Sequence, residues 1–151
     1  MTSRFNNMGG DTLKQIVIKI KGKPKAQQRH RHTKKGLTYD PSVNDKRDFL
    51  ALIHSQAPKV PFKQAISIYI RFSMPYVKKH YRTGKFSNEL KPNPPISYTN
   101  KPDIDNLLKF IFDSGNNVLW MDDSQIYRVQ MEKIYSESPG TTITIVEEGN
   151  D

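Results

Sequence analysis

Four stretches of the chain alternate hydrophobic and polar residues, as strands with one buried face do. The clearest is residues 65–72, in which isoleucine or phenylalanine occupies every second position from 66 onward. The other three are residues 15–21, 126–135 and 141–147. Residues 136–140 separate the last two stretches and include Pro139 and Gly140, so we expect a hairpin there.

Two further stretches repeat hydrophobic residues every three or four positions, as amphipathic helices do. The first predicted helix runs from Pro41 to Ala57 and is stopped by Pro58. Its expected buried stripe consists of Phe49, Leu50, Leu52 and Ile53.

The second predicted helix runs from Asp103 to Ser114 and has two distinct faces. Hydrophobic residues at the i, i+3, i+4, i+7 spacing of a buried stripe are Ile104, Leu107, Leu108 and Ile111. A separate polar ridge at i, i+4, i+8 consists of Asp105, Lys109 and Asp113. Residues at this spacing lie along one side of a helix, so the polar ridge is separate from the buried stripe.

The order of elements is therefore β-α-β-α-β-β, which predicts a single small α/β domain with a mixed sheet and two helices. A chain of 151 residues is the size of one ordinary domain. We expect residues 1–14 to be a poorly ordered lead and residues 15–148 to form the domain.

The composition favours a nucleic-acid partner and excludes thiol chemistry. The chain has 24 Lys and Arg against 15 Asp and Glu, a net charge of +9 and a pI near 9.7. It has no cysteine, so a metal would be bound by oxygen or imidazole. The sequence lacks an apolar run of roughly 20 residues and an N-terminal leader pattern, so a cytoplasmic location without membrane contact is expected.

Two basic stretches are candidates for binding phosphates. Residues 19–35 contain eight Lys or Arg and no acid, and residues 74–100 interleave lysines with tyrosines and prolines. Each stretch is either a solvated surface loop or a surface that binds DNA phosphates. In residues 74–100 the tyrosines would also stack on bases. The candidate DNA-binding residues are Lys23, Lys25, Arg29, Arg31, Lys34, Lys35, Lys78, Lys79, Arg82 and Lys101.

Acidic residues concentrate in one region of this basic chain. Five of the 15 acids lie between positions 103 and 123, where Lys109 is the sole Lys or Arg. If Asp103 precedes the helix in extended backbone, the carboxylates of Asp103 and Asp105 can point towards the same place. A third carboxylate from Asp122-Asp123 would then complete a set of oxygen ligands suited to Mg²⁺ or Mn²⁺. Lys109 would then stabilise charge on a phosphate or orient the attacking water.

The same residues also have structural interpretations. Asp103 would be only an N-cap, Asp105 and Lys109 an ordinary ion pair, and the Asp122-Asp123 pair turn residues. Other chemistry is poorly supported, because no phosphate-cradling glycine motif is present and the histidines lack partners at ligand spacing. The histidines considered are His30, His32 and His54.

The acidic region resembles the RusA family of Holliday junction resolvases, which are small endonucleases of bacteria and many prophages. The matching segments are Lys101 to Lys109 with Phe112-Asp113, and Trp120 to Ile126. Weaker similarity lies in Lys21 to Pro24 with the arginines that follow, and in Met74-Pro75. The long N-terminal lead and the extended 76–100 loop depart from the family pattern.

The resemblance implies that Asp103, Asp105 and Asp123 bind a catalytic Mg²⁺, with Asp122 in reserve, and that Lys109 assists catalysis. It also implies a homodimer that cuts symmetric strands of four-way DNA and needs no small-molecule cofactor. The expected function is Mg²⁺-dependent junction resolution in recombination and repair. The alternatives are a DNA-binding protein without activity and a less selective nuclease for branched DNA.

Overall fold

A computed structural model describes residues 14–149. The elements are β1 (Lys14–Lys21), β2 (Arg31–His32), β3 (Thr38–Tyr39), α1 (Val43–Ile53), β4 (Ile66–Pro75), α2 (Ile104–Gly115), β5 (Ile126–Ser136) and β6 (Gly140–Glu147). Short 3-10 turns occupy Lys78–His80, Gly84–Phe86 and Asp123–Gln125. The predicted N-terminal lead lies outside the described residues, apart from Lys14, which begins β1.

The four long strands form one mixed sheet in the order β1-β6-β4-β5. β4 pairs with β5 in parallel, whereas β6 pairs antiparallel with both β4 and β1. This sheet with two helices confirms the predicted fold class.

The predicted hairpin between the last two strands is wrong. β4 lies between β5 and β6, so residues 136–140 carry the chain past the end of β4 to its other side. Gly22 N donates to Pro139 O at 3.1 Å, and a Cβ on Gly140 would lie 2.7 Å from Ile20 O. The segment therefore packs against β1, and only glycine permits that approach.

The core lies between the sheet and the two helices. The predicted inward residues of β4, from Ile66 to Phe72, are buried, and Met74 continues the row. Phe49 and Ile53 of α1 are also buried, and the Phe49 ring meets Phe110 of α2 edge-on at 5.6 Å. Phe110 is a core residue that the predicted α2 stripe omitted.

The first helix is shorter than predicted, and one residue of its stripe is misplaced. α1 ends at Ile53, and Gln56 beyond it exchanges two hydrogen bonds with the Lys19 backbone of β1, at 2.8 and 2.9 Å. Leu52 is 56% exposed, not buried. α1 contacts the core along the Phe49 and Ile53 ridge, and Leu52 lies off that ridge.

The second helix matches its prediction closely. Leu107 and Ile111 are buried, and the polar ridge of Asp105, Lys109 and Asp113 is exposed. Ile104 and Leu108 are half-buried at the edge of the core. Between positions 14 and 149, no helix has the length and apolar character to span a membrane.

Candidate active site and nucleic-acid surface

Asp103 occupies the N-cap position of α2 in extended backbone, at φ −67° and ψ 146°. This is the extended, non-helical backbone that residues at the N-cap position adopt. Its carboxylate makes no capping hydrogen bond, is about half exposed, and accepts only a bond of 3.3 Å from Lys101 Nζ. The carboxylate therefore has oxygens available for a ligand, unlike that of an aspartate engaged in capping.

Asp105 and Lys109 follow on the exposed ridge of α2 and do not pair with each other. The ion pairs within 4.0 Å between described side chains do not include them. The structural interpretation of these two residues as a helix ion pair is thus unsupported, and both side chains face solvent.

The third residue of the ridge, Asp113, joins the two helices. Its carboxylate lies 3.5 Å from Lys46 Nζ on α1, and the same ammonium donates to Asp40 Oδ2 at 2.6 Å. That bond from Lys46, together with bonds from Ser42 and Gln27, lowers the pKa of Asp40 to about 2 against the effect of burial. Through this shared lysine, the exposed ridge of α2 is connected to α1.

The two acids of the Asp122-Asp123 turn differ in their surroundings. Asp122 accepts a bond of 2.5 Å from Ser124 Oγ, and its backbone N donates to Gln125 Oε1, so it shapes the turn. Asp123 is half-buried, and its pKa is raised by burial first, then by the charge and hydrogen bond of Asp122 and the charge of Asp113. A nearby positive charge would favour the ionised form of Asp123 and so offset this rise in its pKa.

The predicted metal ligands lie at opposite ends of α2. Asp103 begins the helix near Lys133, which donates to Pro102 O at 2.8 Å. Asp123 follows the turn at the other end, where Gly115 packs on Trp120. Twelve residues of helix span roughly 18 Å, far more than the roughly 4 Å between oxygens on opposite sides of one Mg²⁺.

One copy of the chain does not assemble the predicted metal site. Within residues 14–149, no three His, Asp or Glu side chains are grouped closely enough to hold an ion. Asp103 and Asp105 form one part of the predicted set, and Asp123 lies at the far end with Asp113. Their role as metal ligands stays a prediction.

The basic loop after β1 is attached to both helices. Gln27 N donates to Asn106 O at 3.0 Å, and Gln28 N donates at 2.9 Å to the hydroxyl of the fully buried Ser42. Beyond this attachment β2 and β3 form a short hairpin, closed by pairing of Arg31 with Tyr39. The predicted phosphate-binding residues of this loop are exposed, namely Lys23, Lys25, Arg29, Arg31, Lys34 and Lys35.

The 74–100 segment is organised by its aromatic residues. Tyr76 stacks on Tyr135 of β5 at 4.9 Å and 12°, and Tyr98 meets Tyr135 edge-on. These ring faces pack on one another, so the idea that these tyrosines stack on bases is not supported. Arg82 is also engaged locally, with Glu89 at 2.8 Å and the Phe86 ring at 4.2 Å. Lys78 and Lys79 are exposed.

Residues 21–146 match the family model of the endodeoxyribonuclease RusA. The chain belongs to the RusA family. The match covers all of the predicted catalytic, metal-binding and DNA-binding residues, and it supports a Holliday-junction-resolving endonuclease at the level of the family. The chain is also 29% identical over 137 residues to the uncharacterized protein YqaN of Bacillus subtilis (strain 168), covering 87% of this chain and 96% of that protein.

Sequence reasoning missed two lysines that organise this RusA-family site. Lys46 joins Asp40 and Asp113, and Lys133 reaches the turn before Asp103. Lys133 could have been noticed, because it occupies an inward position of β5 between Met131 and Tyr135, where the alternation predicts a hydrophobic residue. Nothing in the spacing around Lys46 indicates its partners.

Proposed function

We propose that the protein is a divalent-metal-dependent endonuclease that resolves four-way DNA by paired, symmetric hydrolysis of two phosphodiesters. The observation that carries the proposal is the state of Asp103 and Asp105. Their carboxylates begin α2 without a capping bond and without an ion pair to Lys109, next to an acid-free basic loop attached to the same helix. Exposed acids held beside a surface for polyanions suit a cation that bridges protein and phosphate.

The bound cation would be Mg²⁺, with Mn²⁺ as a substitute, and it would neutralise charge on the phosphate. Asp103, Asp105 and Asp123 are the proposed ligands, with Asp122 in reserve. These side chains do not fit one ion within a single copy, because Asp123 lies at the other end of α2. A single protomer therefore does not bring the three proposed ligands to one ion.

A homodimer would remove this difficulty. Two copies related by a two-fold axis with their α2 helices antiparallel would bring Asp103 and Asp105 of one copy beside Asp123 of the other. Both sites would form together, as two symmetric incisions require. The separation of Asp103 and Asp105 from Asp123 along α2 is the observation that supports this arrangement.

The remaining residues act on DNA directly. Lys109 lies one turn after Asp105 on the exposed ridge and would place its ammonium near the phosphate that is cut. The basic residues of the 23–35 loop, with Lys78, Lys79, Arg82 and Lys101, would hold the branches. Because Arg82 already pairs with Glu89, we expect it to contribute least.

The first test is cleavage of a synthetic four-way junction and of linear duplex, with and without Mg²⁺. Asp105→Asn should leave junction binding in EDTA nearly unchanged and reduce cleavage by at least roughly 100-fold, since it removes a transition-state interaction. Asp48→Asn, the same change at an exposed position of α1, should cleave normally. A wild-type protein that binds the junction but never cuts it would favour the binding-only alternative, and equal cutting of forks and flaps would favour a less selective nuclease.

The dimer is tested by mixing two inactive variants. Asp105→Asn and Asp123→Asn each spoil both sites of their own homodimer. If ligands come from two copies, a mixed dimer carries one intact site and one doubly altered site, so co-expression should restore nicking. If each site lies within one copy, the mixed dimer stays inactive, and light scattering that shows only monomers would also contradict the arrangement.

A further inference from the structure

Lys133 bonds to the backbone in front of α2 instead of to an acid. It projects from the inward side of β5, where it is paired in register with the buried Phe72. Its ammonium donates to Asn100 O at 2.9 Å and to Pro102 O at 2.8 Å. It also lies 5.3 Å from the centre of the Tyr98 ring. In the described part of the chain, no carboxylate lies within 4.0 Å of it.

Tyr98 completes the same arrangement. Its hydroxyl donates to Lys101 O at 2.8 Å, and its backbone N donates to Lys133 O at 3.1 Å. The carbonyls of Asn100, Lys101 and Pro102 are thus all bound by side chains from β5 or from the segment paired with it. Three consecutive carbonyls bound in this way leave little freedom in the turn.

This turn determines where the Asp103 carboxylate lies. Asp103 follows Pro102 directly, its side chain makes no capping bond, and its own carbonyl accepts the first helical bonds from Asn106 N and Leu107 N, at 3.1 and 3.2 Å. The carboxylate is therefore positioned by its backbone, and the backbone is held by Lys133 and Tyr98.

We infer that Lys133 is a positioning residue for the acidic site: its ammonium fixes the Asn100–Pro102 turn and so aims the Asp103 carboxylate. The inference rests on the proposed nuclease function. An ammonium suits this task because it has three donors and no acceptor, and here it gives at least two donors to neighbouring carbonyls. Methionine at 133 would fill the same space but leave both carbonyls without a donor.

The test compares Lys133→Met with Lys133→Arg, and uses Lys63→Met as a control that removes one exposed lysine of no assigned role. Lys133→Met should reduce junction cleavage roughly 10- to 100-fold, the range seen when residues that orient metal ligands are changed. The Mg²⁺ concentration at half-maximal cleavage should rise, while junction affinity in EDTA stays within about two-fold of wild type. Arginine should restore most of the activity.

Two outcomes would overturn the inference. One is wild-type cleavage and Mg²⁺ dependence in Lys133→Met. The other is a loss of cleavage that merely parallels a loss of junction affinity, with the Mg²⁺ midpoint unchanged. If Lys133→Met does not fold, Tyr98→Phe decides the question, because it keeps the ring and removes only the bond to Lys101 O. That variant should shift the Mg²⁺ midpoint in the same direction, and an unchanged midpoint would refute the inference.

Hydrogen exchange separates this inference from the proposed function. In Lys133→Met the amides of Asn106 and Leu107 should exchange several-fold faster, while the amides of Ile68 and Ile70 in β4 keep their protection. This result is expected even if the wild type cuts no DNA, in which case only the nuclease proposal fails. Unchanged exchange at Asn106 and Leu107 would show that Lys133 does not hold the turn.

Discussion

The close packing of Gly115 against Trp120 yields a stability prediction with a definite sign. A Cβ on Gly115 would lie 2.8 and 2.9 Å from two atoms of the indole ring and 3.3 Å from Leu119 Cδ1. The ring cannot easily move, since Trp120 is fully buried, its Nε1 donates to Asn116 Oδ1 at 2.7 Å, and Phe112 packs edge-on at 6.0 Å. Gly115→Ala therefore forces strain into the end of α2.

Two effects of opposite sign determine the magnitude. Overpacking in a tight core costs about 1–3 kcal/mol. Alanine is favoured over glycine by up to about 1 kcal/mol inside a helix, and by less at a last residue such as Gly115. We therefore expect Gly115→Ala to lower the free energy of unfolding by about 1–2 kcal/mol, which for a chain of this length lowers Tm by about 3–6 °C.

The assay is urea unfolding followed by tryptophan fluorescence and by far-ultraviolet circular dichroism. Trp120 is the single tryptophan of the chain, so its fluorescence reports on the altered site. Ser114→Ala is the matched control. The buried Ser114 hydroxyl has no hydrogen-bond partner among residues 14–149, so its removal should be neutral or stabilising. The reasoning is refuted if Gly115→Ala is as stable as wild type, or if Ser114→Ala loses as much stability.

Two more predictions concern charge. The hydrogen bond from Lys46 is the main cause that lowers the pKa of Asp40 to about 2 in the folded protein. In the unfolded chain the pKa of an aspartate is near 3.9. Asp40 therefore stabilises the fold above about pH 4, and this contribution is lost as the pH falls towards 2. Asp40→Asn should remove up to about 2 kcal/mol of the stability difference between pH 5 and pH 2 in urea unfolding; an unchanged difference would contradict this. In anisotropy titrations across salt concentrations, Lys34→Ala should reduce the slope of log affinity against log salt by about 0.9, and the control Lys63→Ala should not.

The sequence predicted which face of each strand is buried but not which strands are neighbours. Alternation reports only local surroundings, and it placed Ile66, Ile68 and Ile70 correctly. The order β1-β6-β4-β5 depends on contacts between distant parts of the chain, and the short 136–140 segment suggested a hairpin that β4 prevents. Two strands joined by a short connection can therefore have a third strand between them, as β5 and β6 have β4.

Helical spacing likewise predicted which side of a helix is buried, but not which residues that side contacts. It separated the buried stripe of α2 from the exposed ridge, yet it could not show that Leu52 faces solvent or that Phe110 meets Phe49. Both depend on how the two helices meet. The bonds from Lys133 to the turn before Asp103 span about thirty residues of sequence, and no local pattern predicts them.

The length of α2 links the position of the acids to symmetric cutting. The motif at Asp103 and Asp105 and the turn at Asp123 lie close in sequence, but a helix of 12 residues separates them by roughly 18 Å. Under the proposed dimer, antiparallel α2 helices place the start of each helix beside the end of the other, so two sites form at once about one helix length apart. A monomer would have neither site and so could not cut the junction by itself. The mixed-variant experiment bears directly on this point, because restored nicking requires that Asp105 and Asp123 act from different chains.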